Sequence, residues 1–175
     1  QNTGRMSWML TMSPELGEEV DLYNASAVVF YNRSISAFAR EEFAFDVSLD
    51  SLGAGGGEIT LKTRTGGSID HRREDMDLRP GAWLMLGAAV QVRAPWSQAG
   101  NNITHSFFRW YRVVNAGGPT IDNGNGTFQR EFTIVGPDWD KNMRGAPQVA
   151  IVCPTVVAVF EKTMRLQTSS LWMPQ

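Results

Sequence analysis

The chain has 175 residues, enough for one domain with a sizeable core or for two small lobes sharing a sheet. Apolar residues make up 42% and charged residues 19%, and a net charge of −2 lacks the basic surface that nucleic-acid binding requires. No apolar run reaches the length of a membrane-spanning helix, and the single Cys153 excludes both an intrachain disulfide and a thiolate metal cluster.

Residues 5–12 (RMSWMLTM) alternate Met6, Trp8, Leu10 and Met12 with smaller residues and open as a strand, which Pro14 stops. Residues 20–33 hold the run AVVFY, apolar on both faces, and read as a central strand. Residues 34–42 are too short for a firm helix and read as a loop. Phe43, Phe45, Val47 and Leu49 alternate with Ala44, Asp46 and Ser48 as a third strand. The glycines at 53–57 then turn it back into EITLKTR at 58–64, a hairpin. A glycine-rich loop that cradles phosphate needs a helix behind it, and here a strand follows.

Residues 66–79 carry mixed charges, including Asp70, His71, Glu74, Asp75 and Asp77, and read as a solvated loop. Residues 82–93 form a long strand that Gly87 interrupts as a bulge, and residues 95–105, with His105, form a polar loop. Residues 106–115 (SFFRWYRVVN) are the most aromatic strand, and 116–127, built of Gly, Asn, Asp and Pro, read as a long turn. Phe128, Phe132 and Ile134 mark one face of a strand at 128–135, with Gln129, Glu131 and Thr133 on the other. A loop follows to Pro147.

The chain closes on 149–166. After Pro154, Val156, Ala158, Phe160, Met164 and Leu166 fall on one side, which predicts a long strand with that side buried. Coming last, it is expected to close a sheet made earlier. These readings predict an all-β fold: a sandwich or barrel of about eight to nine mostly antiparallel strands with long loops. The expected unit is a single β-rich domain over 1–175, with a division into lobes at 1–65 and 78–175 as the variant.

No nucleophile–base pair or metal-ligand pattern stands out, so no enzyme activity, catalytic residue or cofactor is expected. Asp138, Asp140 and Asn142 have the alternating oxygen spacing of a calcium loop. Met143 stands where that loop needs glycine, and Val149 where it needs glutamate, so the three remain calcium candidates only. The Asn-rich stretch at 122–126 has the composition of Asx turns without metal. His71 and His105 read as loop surface, and Cys153 as a small buried hydrophobe.

The aromatic strand fills a β core or presents a patch to a neighbouring subunit. Trp96, Phe107, Arg109, Tyr111 and Trp139 are the interface candidates, being of the residue types that interfaces favour. Trp96, Trp110 and Trp139 would serve a carbohydrate-binding module.

Six stretches recur together in one order: RMSWML (5–10), 21–34 with its core VVFYNRS, LRPGAWLML (78–86), FRWYRVV (108–114), VGPDW (135–139) and 156–166. This set resembles the β-rich globular head of bacterial prepilin-type, or pilin-like, proteins. That family's apolar N-terminal helix and prepilin cleavage site are not in the sequence, so the resemblance implies that Gln1 begins after them. It implies an extracytoplasmic or cell-surface structural subunit whose partners are other protein subunits, as a homo- or hetero-oligomer. A virion capsid, tail or decoration subunit is the alternative setting, and a carbohydrate- or ligand-binding module the alternative class.

Overall fold

The computed structural model describes residues 4–14, 22–34, 42–53, 55–64, 73–93, 102–139 and 147–165. They form nine strands and one 3₁₀ turn: β1 (Met6–Pro14), β2 (Leu22–Tyr31), β3 (Phe43–Gly53), β4 (Gly56–Thr63), the turn (Arg73–Met76), β5 (Trp83–Arg93), β6 (Asn102–Gly124), β7 (Thr127–Val135), β8 (Val149–Val152) and β9 (Val156–Arg165). Among the described residues no helix is long and apolar enough to cross a membrane.

The fold is all-β. Six strands close an antiparallel barrel in the order β3-β4-β7-β6-β5-β8, and three form a separate sheet in the order β1-β2-β9. The ladders run across residues 65–78, since β3 and β4 share the barrel with β5 to β8.

Alternation explains the barrel. Phe45, Ile59, Leu61, Leu84, Leu86, Phe132 and Ile134 come from β3, β4, β5 and β7 and meet inside it as one core. Their in-between neighbours face outward. The segment 73–79 is more than a solvated loop: Met76 and Leu78 plug into the barrel core. Arg130 holds the strap down, donating to Asp77 Oδ1 at 2.8 Å and to the Met76 carbonyl at 3.2 Å.

A second core fills the seam between barrel and sheet. Val28, Phe30 and Val156 from the sheet pack with Trp110 and Cys153 of the barrel side, flanked by Met9, Trp83, Met85, Ile151 and Val159. The molecule is therefore three layers deep: sheet, shared barrel wall, and the far side of the barrel.

The final strand completes a sheet made earlier, pairing with β2, while the barrel is closed by the short β8, which pairs with β3 on one side and β5 on the other. The chain then turns at Cys153–Thr155 and leaves for the other sheet.

Gly87 makes no bulge, because β5 runs in unbroken register with β6 from Trp83↔Arg112 to Arg93↔Asn102. The glycine sits close under β8: a Cβ there would stand 3.2 Å from Val149 Cγ1, a tight contact that this side chain would have to shift to relieve.

The polar loop ends earlier than expected, at Asn102, where β6 begins. The stretch after Asn115 continues as strand, with register breaks, to Gly124. The reversal itself takes only Asn125-Gly126, both at positive φ (54° and 73°), as a two-residue hairpin turn requires.

Candidate functional site

The three-stranded sheet has two unlike faces. Its inner face is the seam core, continued by a polar end in which Thr11 Oγ1 accepts from the Trp110 indole N–H at 3.4 Å. Beside it the Ser26 hydroxyl donates to Glu161 at 3.2 Å. Every strand of this sheet is thus tied to the barrel or to its neighbour on that side.

Among the described residues the outer face is apolar, and its large side chains are exposed. On β1, Met6, Trp8, Leu10 and Met12 all point outward, Trp8 being 76% exposed and Met6 61%. Opposite them in the ladder stand Tyr31, Val29, Ala27 and Ala25 of β2. Across β2, Val29 and Ala27 pair with Ala158 and Phe160 of β9, and Tyr23 with Met164; Phe160 is 65% exposed.

Residues directly paired across a ladder share a face. The outer surface therefore has a ridge of large side chains along β1, a floor of small ones along the middle of β2 between Tyr23 and Tyr31, and a second ridge of Phe160 and Met164 on β9. Lys162, paired with Ala25, is the charged residue the ladder places on this face.

Phe160 and Met164 are where sequence and structure part. Alternation from Val156 predicts them buried. The β2–β9 ladder instead pairs Val29 with Ala158 and Phe30 with Val156, skipping Val157. One extra residue inverts the parity of everything after it. Val156 points inward, and beyond the bulge Val159 takes over the seam while Phe160 turns to solvent.

The expected interface residues lie elsewhere. Phe107, Arg109, Tyr111 and Trp139 are all buried within the chain, so they are interior residues and present nothing to a partner. Tyr111 and Trp139 belong to the barrel core, and the Tyr111 hydroxyl donates to the Pro137 carbonyl at 2.8 Å. Their large rings fit a barrel interior as well as an interface, and composition alone does not distinguish the two. Trp110 is buried in the seam. Trp96 lies outside the described residues.

Of the calcium candidates, Asp140 and Asn142 also lie outside the described residues. Asp138 Oδ1 accepts from the Gly55 N–H at 2.7 Å, bracing the β3–β4 hairpin. Asp122 Oδ1 accepts from Gly124 N at 2.8 Å, an Asx turn. Among the described residues no three His, Cys, Asp or Glu side chains group as a metal site.

Three open depressions on the barrel measure roughly 160 to 330 Å³, at or below the small end of ligand pockets. One is lined by Asp50, Glu58 and Glu131, with the Thr60 hydroxyl donating to Asp50 at 2.6 Å.

The signal for that face was present in the sequence: four large apolar residues at period two in β1, with no charge from Met6 to Pro14. An alternating strand has one apolar face, yet alternation alone does not say whether its own chain covers it. Comparisons with protein-family models, with characterised proteins and with solved structures found no match to this chain.

Proposed function

We propose that the chain is a non-enzymatic structural subunit that assembles with other protein subunits, and that the outer face of the β1–β2–β9 sheet is its contact surface. One observation carries the reading: this face leaves Met6, Trp8, Leu10, Met12, Tyr31 and Phe160 in water. Monomeric proteins rarely expose a contiguous apolar patch larger than about 300–600 Å², and larger ones mark interaction sites. The resemblance to pilin-like heads suggests an extracytoplasmic setting. A virion subunit is the alternative setting, with the same kind of contact.

The ligand-binding alternative has less support. A sugar site sets an aromatic platform among polar groups that fix orientation, whereas the neighbours of Trp8 on this face are Met6, Leu10 and Val29. Light scattering across a concentration series tests the proposal. Mass that grows with concentration is expected. Constant single-chain mass, together with saturable quenching of Trp fluorescence by a glycan panel, would replace the subunit reading with a binding module.

A further inference from the structure

We infer that the outer sheet face pairs with the same face of a second copy of this chain, across a two-fold axis, as two packed sheets. The inference rests on the subunit reading above and names its partner.

Three features of the face point to a second copy. The first is shape. The β1 ridge (Trp8, Leu10, Met12) stands beside a floor of Ala25, Ala27 and Val29, and Phe160 and Met164 rise beyond it. Offset by about half a strand spacing, the β1 ridge of each copy seats along the other's small-residue floor, against its Phe160 and Met164 ridge. A two-fold axis makes both insertions at once, which is what self-complementarity requires. Sheets packed face to face stand about 10 Å apart and interdigitate side chains in this way.

The second is charge. β1 carries none, and β2 has none from Leu22 to Tyr31. Like charges facing their own images across a two-fold axis would oppose pairing, and here the face supplies only Lys162. Its long stem can lie along the apolar surface while the ammonium stays in water.

The third is area. The large exposed side chains together offer on the order of 800 Å², the share one partner gives to a standard-size interface. The contact is isologous, so it closes at two copies and leaves no apolar face for a third.

Sedimentation equilibrium over a wide concentration range tests this on the chain itself and on Trp8→Glu, Phe160→Glu and Ile121→Glu. The first two substitutions come from different strands of the face. Ile121 is also exposed, but on β6 of the barrel, and serves as the control. All three sites are solvent-facing, and thermal melts at low concentration check that each variant keeps its fold.

The expected result is a mass that plateaus at two chains. Trp8→Glu and Phe160→Glu should raise the dimer dissociation constant about a hundredfold, and Ile121→Glu should leave it unchanged. Growth without a plateau, abolished by the face substitutions, would overturn the two-fold pairing and keep the face as an assembly contact. A monomer at every concentration would overturn the pairing and leave the face to a different subunit; a dimer indifferent to both face substitutions would overturn the pairing and remove the face from the proposed function.

Discussion

Cys153 follows β8 directly, and its thiol lies in the seam between barrel and sheet, beside Trp110, Val28 and Val156. Burial pushes its pKa up to about 12 from an ordinary 9.0; the Glu42 carboxylate adds to the rise and the Arg33 guanidinium offsets part of it. The consequence for stability has a definite sign. Below pH 9 both folded and unfolded chains keep the proton, and the group's contribution is fully present. Between pH 9 and 12 the unfolded chain releases the proton while the folded one holds it, so stability falls by about 1.4 kcal/mol per pH unit. Urea midpoints from pH 8 to 11 should therefore drop more steeply for the native chain than for Cys153→Ala. Parallel curves would mean that the thiol titrates normally. The thiolate is the reactive form, so the folded chain should also resist iodoacetamide at pH 8.

The β1–β2–β9 sheet is held to the barrel by a narrow set of side chains, of which Phe30 is fully buried and also lies under the Arg33 guanidinium at 4.3 Å. Truncating Phe30 to Ala should cost about 3–5 kcal/mol, read as a shift in denaturant midpoint. A cost below about 1 kcal/mol would mean that the seam does not hold the sheet. Most strands were legible from alternation because Phe132, Ile134, Phe45 and Leu61 alternate with polar neighbours. What failed did so for local reasons. Val157 is one unpaired residue in β9, and nothing in a run of valines marks which of them bulges. Asn125-Gly126 has the composition of a hairpin turn, but Gly, Asn and Asp residues on both sides of it make the whole stretch read as one long turn. Gly87 looks the same in sequence whether it bends a strand or sits close under Val149.

Barrel closure and the bare sheet face are properties of the whole molecule, and neither could be read from a single strand. β8 is only four residues long, yet it joins β3 to β5, and its pairs with β3, Phe43↔Val152 to Asp46↔Val149, link residues more than a hundred positions apart. The interface candidates chosen from composition went inside for the same reason: β6 lies between β5 and β7 in a closed barrel with the sheet packed over it, so both of its faces are covered. The strand with the plainer sequence, β1, is at a sheet edge and carries the exposed ridge. Oxidative footprinting of the native chain, dilute and concentrated, tests most directly whether that ridge is a contact surface. Met6, Trp8, Met12 and Met164 should be oxidised readily in dilute solution and protected once the chain is concentrated. Buried Met76 should be unreactive in both. Equal oxidation of the four face residues at both concentrations would contradict the account.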